Sequence, residues 1–139
     1  MATDEEIQAL LETAKNIAVV GIKVLPNEDA FRVPDYMQKA GYRILPVNPK
    51  LDSALGETCQ PNLGAIDEAV DIVNLFRASG NIPDHVDEIL ALEPLPNAVW
   101  MQLGIHHGPS AQRLREAGIL VVQDRCIMVD HRRLMGARD

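Results

Sequence analysis

Three places in this chain put a cation or a bare backbone amide directly after a run of apolar residues. Ile17-Ala18-Val19-Val20 runs into Gly21-Ile22-Lys23, Tyr42-Arg43-Ile44-Leu45-Pro46-Val47 into Asn48-Pro49-Lys50, and Val70 to Phe76 into Arg77. Glycine tolerates positive φ and lets a phosphate approach the backbone, and a nearby cation adds a charge-assisted hydrogen bond of about 1.5–3 kcal/mol. Arg32 lies a few residues beyond Lys23 and offers a further positive group. The chemistry these residues suit is anion binding, with a pyrophosphate as the natural partner. The first segment lacks the second and third glycines of the dinucleotide motif. At the end of the second run, where an acidic residue would grip ribose hydroxyls, Asn48-Pro49-Lys50 stands instead. A cation there fits a nucleotide whose ribose bears an extra phosphate, such as the 3′-phospho-ADP of coenzyme A or the 2′-phosphate of NADP.

The elements that must position these residues follow from periodicity. Thr3 with Glu6 has capping-box spacing, and Ile7, Leu10, Leu11 and Ala14 follow at helical intervals, so a helix spans Asp4 to about Lys15 (lead-in 3–15) and covers one face of a sheet. A second helix over Asp29 to Lys39, with Pro34 expected in its first turn, closes at Gly41 and joins the first two strands into a right-handed parallel unit. A long excursion, Leu51 to Ile66, with one short helical turn expected, leads to a third strand, Val70 to Phe76. A helix from Pro83 or Asp84 follows, ended by Pro94 and Pro96. Ala98 to Gly104 forms a fourth strand, Ser110 to Ala117 a helix, and Ile119 to Val122 a fifth strand; Arg132, Arg133 and Arg138 close the last helix. The expected fold is a three-layer, doubly wound Rossmann-like α/β domain over residues 1–139, with five parallel strands in the order 3-2-1-4-5. Ligands bind at the carboxyl ends of such strands, at the reversal point expected between the first and fourth.

Composition narrows the partners. A net charge of −7 on 139 residues argues against nucleic acid or an anionic membrane, which need clustered cations. No apolar run reaches membrane-spanning length, and Met1-Ala2-Thr3-Asp4-Glu5-Glu6 is unlike a signal peptide, so a cytoplasmic protein with reduced Cys59 and Cys126 is expected. His106-His107 is read as loop polarity, because adjacent histidines do not share one face and no partner stands at ligand spacing. Trp100 is read as core. Cys126 with His131 is the sole thiolate pairing the sequence suggests; packing at the sheet edge is the favoured reading, and no catalytic constellation is assigned.

Six segments in order carry a resemblance to the CoA-binding domain family, whose small stand-alone bacterial members are related to the amino-terminal domain of the succinyl-CoA synthetase α subunit. They are Ile17-Ala18-Val19-Val20-Gly21, Gly41 through Pro49, Leu55-Gly56-Glu57, Val70 through Arg77, Val99-Trp100-Met101-Gln102-Leu103-Gly104, and Asp124-Arg125-Cys126. The resemblance implies noncovalent binding of coenzyme A or an acyl-CoA. It implies the pyrophosphate at Gly21, Ile22, Lys23 and Arg32, the phosphorylated adenosine at Val47, Asn48, Pro49 and Lys50, and a wall from Phe76, Arg77, Ser79 and Ile82, with Gln102 and Gly104 near the tip of the fourth strand. The synthetase forms its phosphohistidine in a second domain, so no ligase activity is implied. Two other readings stay open: an NADP-binding protein or oxidoreductase, because Lys50 also suits a 2′-phosphate, and a ligand-free interaction or regulatory module, because Val24 to Ala30 departs from the family pattern.

Overall fold

The lead-in helix begins where its cap begins. In the computed structural model, which describes residues 1–136, Thr3 and Glu6 form the reciprocal capping box, with Thr3 N donating to Glu6 Oε1 (2.9 Å) and Glu6 N to Thr3 Oγ1 (3.1 Å). Helix α1 (Asp4–Thr13) then buries Ile7, Leu10 and Leu11. The parallel strands follow as β1 (Asn16–Val20), β2 (Arg43–Val47), β5 (Ile72–Leu75), β6 (Ala98–Met101) and β7 (Leu120–Val122), and between β2 and β5 lies a two-stranded hairpin, β3 (Ser53–Ala54) and β4 (Glu57–Thr58). The other helices are α2 (Asp29–Lys39), α3 (Ile82–Leu90), α4 (Gly108–Glu116) and α5 (Ile127–Leu134).

Side chains alternate across the parallel sheet, and each face has its own helix layer. Ile17, Val19, Ile44, Ile72, Trp100 and Val122 pack with α1, α2 and α5. Ala18, Val20, Leu45, Val73, Leu75, Val99 and Met101 pack with α3 and α4. Trp100 is core, as expected, and its indole N–H donates to Arg125 O (2.8 Å).

The expected three-layer α/β architecture with five parallel strands is present, but the strands run β2-β1-β5-β6-β7, which is 2-1-3-4-5 when the five are counted along the chain. The 3-2-1-4-5 order therefore needs correction in the place of the third strand. The excursion after β2 supplies the reason. Its tail folds back as a parallel bridge between Val47 and Gln60, with Gln60 N donating to Pro46 O and Asn48 N to Gln60 O (3.0 Å each). The outer edge of β2 is thereby occupied, and β5, buried along its whole length, pairs on the far side of β1. The point of reversal lies between β1 and β5.

Two local features also depart from expectation. The Leu51–Ile66 excursion holds the hairpin as well as a short 3₁₀ turn (Leu63–Ala65), and Leu55-Gly56 forms its two-residue turn with both φ angles positive (53° and 78°). Pro34 lies inside α2, past the first turn. Arg132 and Arg133 do stand in the last turn of α5, whereas Arg138 lies outside the described residues. No helix among the described residues is long and apolar enough to cross a membrane.

Candidate ligand-binding site

The carboxyl ends of β1 and β5 meet at Gly21. A Cβ on this residue would lie 2.5 Å from Phe76 O, and its φ is +85°, so glycine is needed for two independent reasons. The close approach that glycine permits is thus to the chain's own β5 exit. Around this contact the surface sinks into two lobes that share Gly21, Lys23, Phe76, Arg77 and Ala78 as a saddle. The first lobe, about 450 Å³, reaches toward β2 and the start of α3. The second, about 590 Å³, reaches between the starts of α2 and α5.

Most of the residues expected at the nucleotide come together here. Val47, Asn48, Pro49 and Lys50 line the first lobe, and Arg32 and Gln102 the second. Asn48 works mainly as a brace: its Nδ2 donates to Ile22 O and its Oδ1 accepts from Lys50 N (2.8 Å each), tying the β1 exit to the β2 exit. Arg32 forms a short ion pair with Asp29. Lys23, Lys50 and Arg77 are exposed and belong to none of the ion pairs among the described residues.

The loop that carries Lys23 is held by the misplaced proline. Pro34 has no N–H to offer the carbonyl four residues back, and that carbonyl, Ala30 O, accepts Lys23 N instead (3.1 Å). A helix defect thus supplies the anchor for the site loop. No side chain caps the amino end of α2, whose first residues border the second lobe, where Glu28 and Asp29 also stand.

Four expected residues do not line the groove. Ile22 and Ile82 are both 0% exposed and pack in the core, because each is an apolar side chain turned into a helix layer. Ser79 Oγ accepts from His106 N (3.1 Å) and holds the β6–α4 loop. Gly104, in the left-handed region at φ +83°, has its amide taken by Asp124 Oδ1 (2.5 Å). Residues missed from sequence are Pro61 and Asn62, brought back by the Gln60 bridge, and Asn81, His85 and Glu88 around the start of α3. Glu88 accepts Leu63 N (2.9 Å) and pairs with His85 Nδ1 (3.2 Å). Helical spacing of His85 and Glu88 was visible, but only the 2-1-3 strand order brings α3 to this lobe.

Both cysteines are free; burial pushes the Cys59 thiol up from its ordinary value, while Cys126 is the N-cap of α5 and borders the second lobe. His107 caps α4, its Nδ1 accepting from Ser110 N (3.2 Å), and no group of three or more potential metal ligands occurs among the described residues.

A family model described as a CoA binding domain matches residues 15–132. The chain belongs to the CoA-binding domain family. An uncharacterized protein of Bacillus subtilis strain 168 is 40% identical over 126 residues, 91% of this chain and 92% of its own. A Thermus thermophilus structure shares 44% identity with a TM-score of 0.91 over 96% of this chain and all of that one. A hypothetical protein from Pyrococcus horikoshii OT3 shares 33% identity with a TM-score of 0.91, over 97% of this chain and 94% of its own.

Proposed function

We propose that this CoA-binding domain protein binds coenzyme A or an acyl-CoA noncovalently, without catalysing a reaction of its own. The observation that carries the reading is the gathering of Lys23, Lys50 and Arg77 around the first lobe, at the strand ends of a chain whose net charge is −7. In an acidic protein, cations left without carboxylate partners at the point of sheet reversal suit a polyphosphate. The 3′-phosphoadenosine lies in the first lobe beside Lys50, the pyrophosphate crosses the saddle at Gly21, Lys23 and Arg77, and the pantetheine arm enters the second lobe.

Calorimetric titration with coenzyme A and with NADP tests the assignment. Coenzyme A binds and NADP is the weaker ligand; a clear NADP preference, or no heat with either, overturns it. Lys50→Glu weakens coenzyme A binding by more than about tenfold, since a lost charge-assisted contact and a new repulsion together exceed about 1.4 kcal/mol. An unchanged dissociation constant places the phosphate elsewhere.

A further inference from the structure

The second lobe holds a polar group that the fold positions and does not use up. Gln102, at the exit of β6, is only 4% exposed. Its Oε1 accepts two hydrogen bonds, from Asn74 Nδ2 (3.0 Å) and from Ile127 N at the start of α5 (3.1 Å). Those two bonds fix which way the amide faces. Its Nε2 donates to no group among the described residues, yet it is not one of the sealed-in atoms, for no buried side-chain nitrogen or oxygen there lacks a partner. The second lobe is the cavity whose wall Gln102 forms, so the free donor faces that space. An amide locked through its oxygen presents a pre-oriented N–H pair at little further entropic cost.

A second, independent observation concerns the rim. Six large hydrophobic side chains are exposed among the described residues, and four of them, Val24, Leu25, Leu103 and Val129, lie on the β1–α2 loop, the β6 exit and the first turns of α5. Leu103 (72% exposed) and Val129 (51% exposed) line the second lobe itself. Apolar side chains left in water on the wall of a cavity, as Leu103 and Val129 are, mark a place where apolar ligand surface is to be covered.

We infer that the second lobe is an acyl-thioester subsite, in which Gln102 Nε2 donates to the thioester carbonyl oxygen and Leu103 and Val129 cover a short, uncharged acyl chain. This rests on the coenzyme A reading, which fills the first lobe and saddle with the nucleotide and brings the pantetheine end here. It goes beyond that reading in naming the favoured ligand: a short-chain acyl-CoA over the free thiol. Coenzyme A itself has no carbonyl at that position and no chain to shelter, so it leaves the Gln102 donor and the rim unanswered.

The test compares coenzyme A with butyryl-CoA by calorimetry on the full chain, and records the infrared carbonyl stretch of bound butyryl-CoA labelled with carbon-13 at the thioester carbon. Butyryl-CoA binds at least about tenfold tighter than coenzyme A, as burial of a few methylene groups requires. The carbonyl stretch falls in frequency on binding. Gln102→Met returns that frequency to its unbound value. Because Gln102 also braces β5 against α5, Leu103→Asp on the exposed rim serves as a second variant, and it collapses the affinity ratio toward unity. Equal affinity for the two ligands, an unshifted carbonyl, or an undiminished ratio in Leu103→Asp overturns the subsite while leaving coenzyme A binding in place. Failure of the wild-type chain to bind either ligand overturns both readings.

Discussion

At Gly21 a single hydrogen atom decides whether two strand ends can meet. Any side chain there meets Phe76 O at 2.5 Å and must also occupy the left-handed region. The neighbour is backbone in a parallel sheet and has little freedom to retreat. Gly21→Ala is therefore expected to cost about 2 kcal/mol or more in urea denaturation, above the ordinary surface substitution, and to weaken nucleotide binding because the saddle itself shifts. Glycine at a strand exit was legible from sequence, but its reason was not. The sequence suggested room for a phosphate, whereas the crowding comes from a carbonyl 55 positions away, and distances of that kind appear only once the strand order is known.

At the scale of elements, the proline in α2 shows how a helix irregularity can serve a neighbouring loop. Pro34→Ala restores an amide that competes with Lys23 N for Ala30 O. The expected outcome is faster hydrogen exchange at the Lys23 amide with α2 retained, and unchanged exchange there would separate the loop from the proline. Helix α5 is anchored differently. Asp130, 2% exposed, takes two bonds from Arg125 (2.7 Å each) and one from Arg133 (3.0 Å), and Arg133 reaches on to Asp4 of α1 at 2.9 Å. Burial alone would push the Asp130 carboxyl up, but the hydrogen bonds from Arg125 and Arg133 outweigh it and hold it below the usual carboxylate value. A carboxyl depressed on folding contributes its stability at neutral pH and loses it as pH falls through the folded value, below about pH 4. Asp130→Asn should thus lower stability at pH 7 by about 1–3 kcal/mol, with the gap to wild type narrowing by pH 3, as urea denaturation at the two pH values will report. Helices α1 to α4 and all five parallel strands were readable from sequence, because each buries one stripe or one run of apolar residues, whereas α5 was marked only by the arginines of its last turn. The hairpin at Leu55-Gly56 was not, since a leucine with positive φ carries no compositional mark.

At the scale of the whole molecule, the site depends on where β5 is placed. The sequence led to a crevice between the first and fourth strands; the Val47–Gln60 bridge closes the edge of β2 and moves the reversal to β1 and β5. Lys23, Lys50 and Arg77 line the groove together because any parallel arrangement collects strand exits at one end. His85 and Glu88 escaped notice because their approach depends on that one pairing choice. The backbone contact between Gly21 and Phe76 has a further consequence for redesign. It sets a backbone saddle between two lobes, so Lys50 on one side and Leu103 on the other can be retargeted without retuning each other. Combining Lys50→Glu with Leu103→Asp should give free-energy losses for butyryl-CoA that sum to within about 0.5 kcal/mol, the behaviour of separable sites. A chain of this size would then offer protein engineers a specificity element whose headgroup and tail preferences are set on separate dials.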